Sequence, residues 1–105
     1  MNFEWDESKR NMNIVKHRLD FVYAMFVFED SECLDFIDNR KEYGEERRIT
    51  VGRIDKVVFV VVYTQRGSTI RIISFRHANK KEREKYYGNN KNDIGRNSQR
   101  LSFNS

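Results

Sequence analysis

Proline is absent from this chain, and its 105 residues include only one cysteine, Cys33, and five glycines. A single cysteine cannot form an internal disulfide, which fits a reducing compartment and makes the cytoplasm the expected location. With no second thiol or neighbouring histidine, Cys33 reads as a small buried apolar residue, and no metal site is expected. No apolar run reaches the roughly 18 residues that a membrane helix needs. The opening MNFEWDESKR is acidic and polar, where a secretory leader would be basic and then apolar. Also missing are a glycine-rich phosphate loop, an H-E-x-x-H helix and paired-cysteine spacings, so no bound cofactor is expected. Gly67-Ser68 reads as a turn and not as a nucleotide loop.

The residues present can build one core. The chain is 38% hydrophobic, with eight phenylalanines and five tyrosines, and its 34% charged residues are of mixed sign. That composition and length suit a single ordered domain and argue against whole-chain disorder. Net charge is +4, but its distribution says more than its sum. Glu29 to Glu46 holds eight acids against two bases, whereas Gln65 to Arg100 holds ten bases against three acids. Such asymmetry suggests a basic surface for phosphates or for an acidic partner, or simply clustered solvated charges.

Asp6 is a candidate N-cap for a short helix over residues 7–16, with Met12, Ile14 and Val15 as a narrow apolar stripe. Asp20 caps a second expected helix, FVYAMFVFED, in which Phe21, Ala24, Met25 and Phe28 form the core-facing side. Val22, Tyr23, Phe26 and Val27 make it apolar nearly all round, so it is either sandwiched or left with one face for a partner. Strand patterns follow in ECLDFID, RRITVGRI, VVFVVVYT and TIRIISFR, the third β-branched and aromatic throughout as for a central strand. Asp55-Lys56 and the QRGS segment close hairpins, with Gly67 supplying the permissive backbone. Asn79 caps a last helix, KKEREKYY, that Gly88 is expected to end. Residues 1–88 then form the domain, and residues 89–105, rich in Asn and Ser, read as a flexible polar and basic tail. The expected fold is α+β: two N-terminal helices packed on a four-stranded antiparallel sheet, followed by a C-terminal helix.

The side chains with chemical potential are a set of arginines and two histidines. Alternation along the last strand puts Arg71 with Ile73 and Phe75, and Arg76 with Ile70, Ile72 and Ser74, on opposite faces unless a bulge intervenes. Arg76 lies at the strand end, where a charge escapes the core, and Arg66 lies in the preceding hairpin. Lys80, Lys81, Arg83 and Lys85 follow on the last helix with Tyr86 and Tyr87, interleaved with Glu82 and Glu84 as on a solvated face. Arginine offers paired donors to phosphate, and tyrosine offers a stacking face for an unpaired base. His17 follows Lys16 at the break between the first two helices, and an imidazole suits proton transfer near neutrality. His77 follows Arg76. Glu46 and Arg47 open the second strand and suit an ion pair as well as a site.

FEWDESKRNMNIVKH, EERRITVGRI and VVYTQRGSTIRIISFRHANKKEREKYY resemble, in order, the BrnT family, the toxins of BrnT/BrnA type II toxin–antitoxin pairs. The resemblance runs from Phe3 to Tyr87 on five motifs: W-D, K-H, Y-T-x-R, I-I-S-x-R-x-A and E-R-x-x-Y. It implies a RelE-like fold and a metal-independent endoribonuclease that cuts RNA and arrests growth. It also implies a BrnA-type ribbon-helix-helix antitoxin, in a complex expected to be a heterotetramer. Operator DNA would be bound only through the antitoxin. Carried over by motif, Lys16, His17, Arg66 and Arg76 are the candidate catalytic residues, with Arg66 and Arg76 as a phosphate clamp and Lys16 as a third cation. Glu46, Arg47, Lys80, Tyr86 and Tyr87 are candidate RNA contacts. Cleavage by a 2′-OH needs no metal if a base, an acid and cations are at hand.

Two departures from the family pattern stand out. Arg18 occupies the place after K-H where the family usually has glycine, and FVYAMFVF is less charged than usual. A second reading keeps the fold but not catalysis, as a binding module in an autoregulatory DNA-binding complex. A third, a generic basic RNA-binding domain, accounts for the charge asymmetry but not for the ordered motifs.

Overall fold

The structure is a computed structural model that describes residues 1–40, 42 and 44–93, with side chains described as far as Gly88. Its elements run β1 (Asn2–Trp5), α1 (Glu7–His17), a 3₁₀ turn (Phe21–Tyr23), α2 (Met25–Phe28), β2 (Leu34–Ile37), β3 (Arg48–Ile54), β4 (Val57–Arg66), β5 (Thr69–His77) and α3 (Lys80–Asp93). The strands form one five-stranded sheet in the order β1-β5-β4-β3-β2.

This corrects the expected two helices on a four-stranded antiparallel sheet. The chain begins with a strand, and β1 pairs parallel to β5, Asn2 opposite Thr69 and Trp5 opposite Ile72. The other neighbours pair antiparallel, so the sheet is mixed. Four residues show no readable alternation, and their partner strand lies 67 residues along the chain, Asn2 opposite Thr69. The second helix is also broken in two. Phe21, Ala24 and Val27, at every third position, are 1%, 0% and 0% exposed, the spacing of a 3₁₀ winding more than of an α-helix. Tyr23 and Phe26 stay exposed, so the segment is not sandwiched.

The central strand β4 is buried from Val58 to Thr64, as its β-branched run predicts. One sheet face carries Phe59, Val61, Tyr63, Ile70, Ile72 and Phe75 under Phe21, Ala24 and Val27. The other carries Ile49, Val51, Val58, Val60 and Val62, with Ala78 and Tyr86 packed on them. Gly52 is required by close approach: a Cβ there would meet the Val27 side chain and carbonyl oxygen at 2.9 Å. On the first face Asp35 accepts hydrogen bonds from Arg48 Nε at 2.7 Å, Thr50 Oγ1 at 2.6 Å and the Tyr63 hydroxyl. Burial, together with that carboxylate, pushes the Tyr63 hydroxyl up to about 12.

At the N-terminus of α3, Asn79 Oδ1 accepts from the Glu82 N–H at 2.8 Å while Glu82 Oε1 accepts from the Asn79 N–H at 2.9 Å, a reciprocal capping box. The helix does not end at Gly88 but continues to Asp93. Within the expected tail, residues 94–105 lie outside the described residues.

Candidate functional site

Helix α1 starts at Asp6, whose carboxylate accepts from the N–H groups of Ser8 at 2.8 Å and Lys9 at 3.2 Å. It runs along the edge of the sheet past the point where β1 stops pairing with β5. There Asn13, 6% exposed, replaces a strand. Its amide donates to the Phe75 carbonyl at 2.8 Å and accepts from the Phe75 N–H at 3.1 Å. A second amide bond, to the Leu19 carbonyl at 2.9 Å, ties in the chain that leaves the helix. These bonds satisfy backbone groups that would otherwise be buried unpaired. They also fix the C-terminal end of α1, with Lys16 and His17, against β5.

Arg18 closes that helix in the left-handed region, φ 60° and ψ 30°, and its N–H donates to the Ile14 carbonyl at 2.8 Å. An arginine thus occupies a left-handed helix end that glycine adopts at lower steric cost.

The register of β5 decides which arginines share a face. Tyr63 lies opposite Ile72 and Val62 opposite Ser74, so Ile73 is an extra residue at a bulge. Alternation shifts by one beyond it, so Arg71 and Arg76 project on the same side, that of Val60 and Val62. The plain strand reading put them on opposite faces. Arg71 is held by Glu4 at 3.0 Å. Arg76 makes a two-pronged pair with Glu82, at 2.8 and 2.9 Å, and both side chains are about three-quarters buried. The Arg76 guanidinium holds the Glu82 carboxyl below its ordinary value. In the sequence Glu82 reads as one charge of a solvated face, and the one signal of its role is the capping-box spacing three positions after Asn79.

His17 gathers the group electrostatically. Its pKa is lowered first by burial and then by the positive charges of Lys16, Arg76 and His77, so the neutral imidazole dominates near pH 7. His77 is exposed, with its ring 4.9 Å from that of Phe59. Lys16 and Arg76 are the cations at this end of the sheet, where the end of α1 is pinned to β5.

The other sequence candidates lie elsewhere. Arg66 stands opposite Thr69 and Arg76 opposite Val60, six residues apart along β4. At about 3.3 Å per residue that separation is about 20 Å, too far for both to hold one phosphate. Arg66 is paired with Glu45 at 3.6 Å. Glu46 pairs with Arg48 at 3.0 Å, and its carbonyl accepts from Thr64 Oγ1 at 2.8 Å. The Arg47 carbonyl accepts from the Asp38 N–H at 2.8 Å. Lys80 is exposed and 4.0 Å from Glu84. Tyr86 is 1% exposed and donates to Asp30 Oδ2 at 2.6 Å, so its ring has no face left for a base. Burial and the Asp30 carboxylate push its hydroxyl upward. Tyr87 is 37% exposed and packs edge-on against Tyr86. Among the described residues no cluster of three or more His, Cys, Asp and Glu side chains comes together to hold a metal ion.

The model of a family described as "Ribonuclease toxin, BrnT, of type II toxin-antitoxin system" matches residues 5–82. The chain belongs to the BrnT family. No curated protein matches it. The match runs from the last residue of β1 to the first turn of α3 and so takes in Lys16, His17, Arg66, Arg76 and the capping-box Glu82. Membership in this BrnT family gives the chain a ribonuclease-toxin assignment, an antitoxin partner and RNA as its target. Among the described residues no helix is long and apolar enough to cross a membrane.

Proposed function

We propose that this chain is a cytoplasmic, metal-independent endoribonuclease whose reaction centre is the junction of α1 and β5, at Lys16, His17 and Arg76. The observation that carries the reading is geometric: Asn13 pins the end of α1 to Phe75, so Lys16 and His17 line one groove with Ile73 and Ser74, two residues before Arg76 on β5. The 2′-oxygen of the substrate attacks the adjacent phosphorus, and neutral His17 takes the proton that the hydroxyl loses. The bond from phosphorus to the 5′-oxygen breaks, that oxygen gains a proton, and a 2′,3′-cyclic phosphate is left. Arg76, released from Glu82, and Lys16 stabilise the added phosphoryl charge. Arg66 contacts RNA from the far end of β4, Glu46 and Arg47 from the segment that leads into β3, and Lys80 and Tyr87 from α3. A BrnA-type ribbon-helix-helix antitoxin neutralises the toxin in a heterotetramer that binds operator DNA through the antitoxin, and the unpaired toxin arrests growth.

The test is RNA cleavage by the purified chain in EDTA. Fragments ending in cyclic phosphate are expected, with His17→Ala slower by about 10²–10⁴-fold. Wild-type rates in that variant would remove His17 from the chemistry.

One observation favours a second reading, a binding module without catalysis: Arg76 and Arg66 are each already held by a carboxylate. In that case the protein binds its partner while RNA stays intact, and Glu82→Gln, which releases Arg76, does not start cleavage.

A further inference from the structure

Helix α1 is inside out for an edge helix of a small domain. Its polar Asn13 is buried, while Met12 is 71% and Val15 79% exposed. The sequence marks Met12 and Val15 as the core-facing stripe, yet the backbone of β5 claims Asn13 instead, which turns them outward. They do not face open solvent evenly. Together with Ile73, at the bulge of β5, they line a groove of about 530 Å³. Lys9, Lys16 and His17 also line it, and no carboxylate does.

An apolar floor whose charged lining side chains are the lysines Lys9 and Lys16 points to its occupant. RNA would satisfy the cations but not Met12, Val15 and Ile73. A membrane surface would require a broader apolar face than one groove. The exposed pair Tyr23 and Phe26 lies beside Glu29, also exposed, and would call for a basic partner. We infer that the α1–β5 groove is the docking site for an acidic amphipathic segment of the chain's antitoxin, which seats apolar side chains on Met12, Val15 and Ile73 and carboxylates on Lys9 and Lys16. The inference rests on the family's implication that an antitoxin pairs with this chain. It goes further in saying where and by what chemistry. Because Lys16 and His17 belong to the groove, its occupant also covers the proposed reaction centre, so neutralisation works by occlusion.

The experiment titrates the full-length chain with the product of the adjacent gene. Met12→Gln and Val15→Gln remove the apolar floor of the groove without placing a charge beside Lys16, His17 or Arg76. At least a tenfold loss of affinity is expected for each, and cells expressing either variant should arrest and no longer be rescued by the partner. Hydrogen exchange on the wild-type complex gives a readout free of folding effects, and protection is expected at residues 9–17 and 73–74. Unchanged affinity in both variants, or no protection there in a complex that does form, overturns the site. Self-association of the chain that Met12→Gln abolishes would assign the groove to a second copy instead. A wild-type chain that does not bind the neighbouring product overturns the choice of occupant at its source, an outcome distinct from binding that ignores the groove.

Discussion

On one face of the sheet, Phe21, Ala24 and Val27 rise from a segment only seven residues long and press onto Phe59, Val61, Tyr63 and Phe75. Edge-to-face ring contacts, Trp5 with Phe21 at 6.2 Å and Phe28 with Tyr63 at 5.1 Å, close its margins. On the other face α3 reaches the valines of β3 and β4 mainly through Tyr86. Its remaining anchors are polar: Tyr86 to Asp30, Arg76 to Glu82, and Lys85 over the Phe36 ring at 4.6 Å. Apolar contact is non-directional and has no alternative partner in water, so the first face is fixed. Ion pairs and hydrogen bonds can be exchanged for a ligand's, so the second face is the one that can trade Glu82 for a phosphate. The arginines proposed to meet RNA project on that second face.

Four substitutions break or sharpen this contrast. Phe21→Ala, on the fixed face, should cost about 3–5 kcal/mol in chemical denaturation and remove activity together with the fold. Tyr86→Phe keeps the ring but deletes the hydrogen bond to the Asp30 carboxylate, and a loss of about 1.5–3 kcal/mol is expected in the same measurement. A loss as large as that of Phe21→Ala would show that α3 is as firmly attached as the opposite cover.

Glu82→Gln should cost only about 1 kcal/mol, because glutamine keeps the capping box while the ion pair is lost. Its pH dependence is the sharper test. The Glu82 carboxyl is held below its ordinary 4.5 in the folded chain. The contribution of the pair is therefore complete above that value and fades as pH falls through the lower folded one. Thermal unfolding of wild type and variant should differ at neutral pH and converge in acid, and a constant difference would mean that the charge of Glu82 is not what stabilises. RNA binding should strengthen in the same variant, since Arg76 is released. The smallest effect belongs to α1, which covers neither face. Arg18→Gly should raise stability by about 0.5 kcal/mol, relief of a left-handed arginine less the added freedom of glycine when unfolded. A loss of stability would mean that the Arg18 side chain makes up for its backbone.

Much of this was legible before folding. The strands β2 to β5, both hairpin turns, the capping residues Asp6, Asp20 and Asn79, and the family motifs all depend on residues near one another in sequence. The missed features depend on distant ones. β1 is a strand only because β5 offers an unpaired edge. Met12 and Val15 look like core because the stripe cannot show that β5 needs Asn13. Arg71 and Arg76 look opposed because a bulge at Ile73 has no sequence mark. Tyr86 looks like a stacking platform until the Asp30 carboxylate takes its hydroxyl.

By itself the sequence determined the element types from β2 onward, the single core and the family, because local propensity, capping and motif order act over a few residues. Tertiary structure alone decided that the sheet is mixed and five-stranded, that Arg76 is bound to Glu82, and that Lys16 and His17 line a groove with Ile73 and Ser74 of β5 while Arg66 pairs with Glu45. Those outcomes follow from pairing of buried backbone groups between segments far apart in the chain, a demand that no local pattern records.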